Sequence, residues 1–247
     1  MTRADYTITS VSRAFQLIDL MARKNGSLSV QTLAKRLDIA PSNATRLLQT
    51  LQNAGYVEKS SKTNHYFLSN KFFVTTNRML NSNDCVQKYM LTAYRVAEKL
   101  EAIVVLNSMQ DKCSVAIFRV IGVHNRIDNM NVGGLTPAYC GSSGKAMLSQ
   151  YSQEALNAFL SDLEFERYQP NTITNTAQLL HDLEIIRKNG YATDREERYS
   201  GLISLSIPLN EFLQPYAFTV IMPSNRRSEL FMPKTLEYIQ ESIHKTE

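Results

Sequence analysis

Apolar residues recur at helical spacing over residues 10–23, where Val11, Ala14, Phe15, Ile18, Met21 and Ala22 fall on one face. "KNGS" breaks that helix. A shorter helix follows, with Val30, Leu33, Ala34 and Leu37 facing inward and Ser29 placed to cap it. Pro41 opens a third helix, because proline suits the first helical turn. Its inward residues are Ala44, Leu47, Leu48 and Leu51. Its outward residues are Ser42, Asn43, Thr45, Arg46 and Gln49. "NAG" closes it, with Gly55 as the C-terminal stop. "YVEK" and "HYFL" then bracket "SSKTN", which reads as a hairpin with Lys59 and Lys62 near its tip. Three helices and a basic hairpin make a winged helix-turn-helix. Its third helix would enter the major groove of double-stranded DNA, and the wing lysines would meet phosphates.

Beyond residue 80 the pattern mixes periods. "CVQKYMLTAYRVAEKLE" is helical, with Val86, Met90, Ala93, Tyr94 and Ala97 on one side. "AIVVLNS", "CSVAIFRV" and "YAFTVIMP" are strand-like, and "VHNRIDNMN" alternates weakly as a further strand. "GLISLSIPL" alternates hydroxyl and apolar residues, as a half-buried strand should. "YSQEALNAFLSDL", "NTAQLLHDLEIIRKNG" and Lys234–Lys245 read as helices. Strands and helices mix without a βαβ repeat, which predicts an α+β domain with an antiparallel sheet.

Composition adds one asymmetry. The 247 residues carry a net charge of +4, but residues 1–80 hold 11 Lys/Arg against 4 Asp/Glu, and the remainder 16 against 19. The polyanion-facing part is the first third. No run approaches the ~18 apolar residues of a membrane span, so no membrane partner is expected. The N-terminus lacks an apolar signal segment. The three cysteines form no CxxC pair and read as reduced thiols of a cytoplasmic protein. The four histidines are scattered, so neither a metal nor a cofactor is expected.

"CGSSGKAMLS", residues 140–149, is the candidate chemistry. As a P-loop it fails at Tyr139 and Ala146, and as a nucleophile elbow it fails at Lys145. Ser142 and Lys145 fit S-x-x-K, the pair of a serine hydrolase or acyltransferase, but the accompanying S-D-N and K-T-G are missing. The other reading is an anion seat: small residues before the helical "KAMLSQY" leave backbone N–H groups open to a carboxylate.

The N-terminal motifs resemble those of IclR-type bacterial transcriptional regulators. Arg13–Ala14, Leu33–Ala34, Ser42, Arg46–Leu47–Leu48, Thr50–Leu51 and Gly55–Tyr56–Val57 match the pattern. Ala40, Pro41 and Asn43 depart from it, and the lysine usual at position 41 is missing. Three further motifs are similar to the family's ligand domain. The first matches at Gly133, Pro137, Gly144, Lys145, Ala146 and Leu148. The second matches at Gly190, Tyr191, Ala192, Asp194, Glu197, Gly201 and Pro208, and the third at Ala217, Val220, Pro223 and Arg226 or Arg227.

The resemblance implies a DNA-binding domain over 1–78, a linker helix over 79–100 and a GAF- or profilin-like effector domain over 101–247. It implies a homodimer or dimer of dimers on an operator. It further implies a small organic acid effector, a sugar acid or short carboxylic acid, with its carboxylate on the backbone of Ser142 and Ser143. Asp194, Ser204, Thr219 and Ile221 would complete the pocket, and Met130, Ile117 and Leu202 are candidate lining. Ser204 stands where the family often has cysteine and Ile221 where it has serine, so the pocket has its own selectivity. Glu197 is expected to pair with Arg195 or Arg198.

Overall fold

The computed structural model describes residues 6–23, 27–123 and 131–246. The chain divides into two units, Met1–Leu80 and Asn81–Glu247.

In the first unit, α1 (Thr9–Ala22), α2 (Val30–Arg36) and α3 (Pro41–Asn53) precede β1 (Val57–Lys59), β2 (Tyr66–Leu68) and α4 (Lys71–Asn81). Ser29 caps α2, its side chain accepting from the Thr32 N–H at 3.2 Å. Gly55 follows the C-terminus of α3 at φ +80°, a conformation that favours glycine. β1 and β2 pair antiparallel, and Leu28 bridges to Tyr66, adding a third short piece to the wing. The core gathers Leu17, Met21, Leu33, Leu48, Val57 and Tyr66. Here the expectation for α1 fails in part: Leu17 and Met21 are the buried pair, while Phe15 is 63% exposed and Val11 and Ala22 are exposed as well. The helix carries two apolar stripes, and the small core has room for one.

In the second unit, α5 (Asp84–Lys99) leads to β3 (Ile103–Gln110), β4 (Cys113–Ile121) and β5 (Leu135–Pro137). Then come α6 (Ser142–Leu148), α7 (Gln153–Leu160), α8 (Thr176–Asn189), β6 (Ala192–Arg195), β7 (Leu202–Leu209) and β8 (Tyr216–Pro223). The short α9 (Arg227–Leu230) and α10 (Pro233–His244) finish the chain. One six-stranded sheet runs β5-β4-β3-β8-β7-β6, with every pairing antiparallel. Alternate residues of β8 serve opposite faces. Ala217 joins the core under α6, α7 and α8, whereas the Phe218 ring meets Tyr89 of α5 at 6.4 Å. Helices therefore cover both faces.

The expected linker over 79–100 is mostly α5, and α5 is not a bare connector. Its Cys85, Tyr89, Ala93 and Val96 are buried in the second unit, while Tyr94, expected inside, is exposed. The aromatic that is buried is Tyr89, five residues earlier, against Phe218 of β8, while Tyr94 meets only the edge of Phe118 of β4. α4, β5, β6 and α9 are elements the periodicity did not reveal, each short or exposed. α6 begins three residues before the expected "KAMLSQY". The strand expected over 123–131 lies almost wholly outside the described residues, as does Met130.

Candidate functional site

In the first unit, Ser42, Asn43, Arg46 and Gln49 are exposed along α3, opposite the buried Ala44 and Leu48. Thr45 is half-buried, its hydroxyl donating to the Pro41 carbonyl at 2.9 Å, so its hydrogen is committed to the helix. Lys59 ends β1 and Lys62 lies in the turn that follows; both are exposed. The Lys59 ammonium sits 5.5 Å from the Tyr66 ring centre, which steers it along the wing. Arg13 borders one shallow cleft with Asn43 and Arg46, adding a cation that the outward face of α3 alone did not reveal.

In the second unit, a cavity of about 70 Å³, partly open to solvent, lies between the sheet and the start of α6. Its lining includes Ser142, Ser143, Asp194, Ser204, Thr219 and Ile221, six positions drawn from four elements. The register explains the convergence. Ser204 pairs with Ile221 and Ser206 with Thr219 across β7 and β8, so all four project from one face. β3 pairs with β8 in unbroken register, so Asn107 shares the face of Thr219 and Ile221 and joins the lining, while the register shift against β4 leaves Ile117 as an extra residue on that strand. Leu202 lines the cavity as expected, but Ile117 does not.

Hydroxyls join into one chain along the floor. Ser204 Oγ donates to Asp194 Oδ2 at 3.4 Å and meets Ser142 Oγ at 2.5 Å. Ser142 Oγ meets Ser206 Oγ at 2.7 Å, and Ser206 meets Thr219 Oγ1 at 2.8 Å. Thr219 donates to Asn107 Oδ1 at 2.9 Å. Ser143 Oγ bonds Ser114 Oγ at 2.8 Å. Linked hydroxyls in a dry site polarise one another and can reverse donor direction to suit a ligand. The N–H of Gly141 is taken by Glu197 Oε2 at 3.3 Å. Those of Ser142 and Ser143 stand in the first turn of α6, where a helix offers its N–H groups no internal partner.

Beneath this floor lies a buried charge cluster that the sequence did not reveal. Lys145 is 1% exposed, and its Nζ donates to Asp182 Oδ2 at 2.7 Å and Glu197 Oε1 at 2.6 Å. This corrects the expected partner of Glu197, which is neither Arg195 nor Arg198. Burial alone would lower the lysine's pKa, but the Glu197 and Asp182 carboxylates outweigh it and hold the ammonium above its ordinary value. A lysine held protonated cannot take a proton from Ser142, whose hydroxyl is already engaged by Ser204 and Ser206. The hydrolase geometry is thus not built.

Burial raises Asp194 above an ordinary aspartate, against the pull of the Glu197 N–H that donates to its Oδ1 at 2.7 Å. Burial also pushes Glu197 up, to about 7, against Lys145. Three carboxylates crowd one ammonium, and the crowding favours a proton on one of them. The Glu197 value in the fold exceeds its reference of 4.5, so the stability it contributes is complete below about 4.5 and is lost as pH rises through about 7. Urea midpoints of the full chain are therefore expected to fall from pH 5 to pH 8, and Glu197→Gln should flatten that decline. A midpoint that rises over this range would contradict the assignment.

Comparison with known proteins agrees with the two-unit geometry. Residues 10–61 match the IclR helix-turn-helix domain, and residues 77–246 match the bacterial transcriptional regulator IclR C-terminal domain. The HTH-type transcriptional regulator KdgR of Dickeya chrysanthemi is 24% identical over 82% of this chain, and the match spans 66% of that protein's own length. The transcriptional repressor IclR of Escherichia coli (strain K12) is 26% identical over 85% of this chain and 78% of its own. An IclR homolog of Microbacterium hydrocarbonoxydans, solved with 4-hydroxybenzoate, has the same fold with a TM-score of 0.80 at 17% identity, covering 96% of this chain and 97% of that one. The curated relatives are named as regulators and repressors rather than enzymes. With the second match spanning well over half its length, the chain belongs to the IclR family of bacterial transcriptional regulators.

Proposed function

We propose that this regulator binds an operator through α3 and the wing, and that a small carboxylic acid in the cavity under α6 sets its affinity for DNA. One observation carries the reading: six side chains from separate elements converge on one cavity with a linked hydroxyl floor and an apolar wall at Ile221. A few placed polar groups in an otherwise apolar pocket is how small-molecule sites fix orientation. The backbone of Ser142 and Ser143 would seat the carboxylate, and the hydroxyls would read its substituents, as in a sugar acid or hydroxy acid. That a fold neighbour is solved with an aromatic hydroxy acid favours the same ligand class. Effector and operator then share a coupling free energy, so each changes the other's affinity by the same factor. A dimer supplies the two heads that a palindromic operator needs.

Fluorescence anisotropy on DNA from upstream of the gene tests both halves. Arg46→Ala should weaken binding on the order of tenfold to a hundredfold and relax sequence preference. Lys59→Ala and Lys62→Ala should each reduce the salt slope by about 1, with little loss of preference. In a screen of small acids and their neutral amides, acids should shift the anisotropy curve. A shift by neutral molecules alone would overturn the carboxylate reading.

A further inference from the structure

We propose that Arg198 is a second anion-recognising group of the cavity, so that the effector is a dianion of the dicarboxylate class. The inference rests on the reading of the cavity as an acid site and narrows it. Arg198 lines the cavity together with Ser142, Ser143 and Tyr199. Its guanidinium lies 3.8 Å from the centre of the Tyr168 ring and 5.2 Å from that of Tyr199. Two aromatic contacts hold the planar fork in place, and a held fork loses little freedom when it takes a carboxylate.

The guanidinium lacks what such a group ordinarily has. Its Nε is buried and has no hydrogen-bond partner. The acidic side chains around the cavity floor are already engaged: Glu197 and Asp182 by Lys145, Asp194 by the Glu197 N–H and by Ser204. Among the described residues, Arg198 forms no salt bridge. A guanidinium in a cavity wall that no carboxylate among the described residues neutralises leaves the terminal amino groups of its fork for an acceptor that the ligand brings. Ser142 and Ser143 come from α6, whereas Arg198 follows β6, so two acidic groups can be held at once by separate elements. Guanidinium and carboxylate match two bonds to two, which suits Arg198 to a carboxylate of its own.

The test is calorimetric titration and thermal shift of the full chain with matched pairs: succinate against butanoate, glutarate against pentanoate, adipate against hexanoate, each also in its hydroxylated form. Dicarboxylates should bind the unaltered protein roughly tenfold or more tightly than their partners. Arg198→Leu should abolish that preference while leaving monocarboxylate binding unchanged, and Arg198→Lys should restore part of it. If Arg198→Leu does not fold, a reduced but remaining preference in Arg198→Lys, which keeps the charge and removes the fork, decides the question, and a full preference in that variant overturns the role of Arg198. Equal binding within pairs, or a preference that survives Arg198→Leu, overturns the role of Arg198 and leaves the acid site standing. Binding of neither class overturns the acid site itself, and this inference with it.

Discussion

Lys145→Met is expected to lower the stability of the C-terminal unit by about 3–5 kcal/mol, the range found when one member of a buried ion pair is removed. Methionine fills nearly the same volume, so packing is not what is lost. The loss is electrostatic. Asp182 is 37% exposed and can return to water, but Glu197 cannot. Its carboxyl would keep a proton to higher pH than in the unaltered protein, because burial and Asp194 both push it up and the ammonium that opposes them is gone. The deficit should therefore be larger at pH 8 than at pH 5. Glu197→Gln in the same chain should recover part of it, and the cycle of single and double variants isolates the coupling. Chemical denaturation at the two pH values measures all of this. A Lys145→Met deficit below about 1 kcal/mol, the level of an exposed pair, would show that the cluster is solvated.

Gly144→Ala is expected to be comparably damaging for a different reason. A Cβ on Gly144 would overlap the Cα and carbonyl of Ala138, which are backbone atoms and cannot rotate away. α6 would have to lift off the turn that precedes it. Forced overpacking of this kind costs up to about 3 kcal/mol, and more where the backbone must move. The shift would carry Ser142 and Ser143 with it, so acid binding should weaken along with the urea midpoint. Gly190→Ala is the control. Nothing lies within 4 Å of the added Cβ there, and the penalty is confined to its φ of +78°. Equal midpoints for the Gly144→Ala and unaltered chains would refute the close approach.

These two residues show how "CGSSGKAMLS" should be understood. As a string it invites a phosphate loop or a serine–lysine pair. In the fold, Gly144 is there because α6 crosses Ala138 at backbone contact. Lys145 is there because Asp182 and Glu197 meet beneath the cavity. The second reason is not visible locally, since the partners of Lys145 lie 37 and 52 residues away; the first depends on how the turn at Ala138, six residues back, folds against α6. The same holds for Asn107, whose place in the cavity depends on β3 pairing with β8, more than a hundred residues along the chain. Ser206 was more accessible. The alternation in "GLISLSIPL" puts it on the same face as Ser204, a signal that could have added it to the hydroxyl set, although only Ser204 of that strand is among the six expected cavity positions.

What the sequence by itself determined is whatever depends on neighbours along the chain. Caps, proline starts and a 3.6-residue period specify α2 and α3, because those signals act within a turn or two of helix. They also specify which side of α3 is polar and exposed. The motif order was enough to indicate the family and to pick six cavity positions. What only the tertiary structure decided depends on distant pairing: which stripe of α1 is buried, that α5 packs into the second unit, and which carboxylates claim Lys145. It also left Arg198 stacked on Tyr168 without a carboxylate partner among the described residues. Burial and charge pairing are properties of surfaces brought together by the fold, and chain-local patterns carry no record of them.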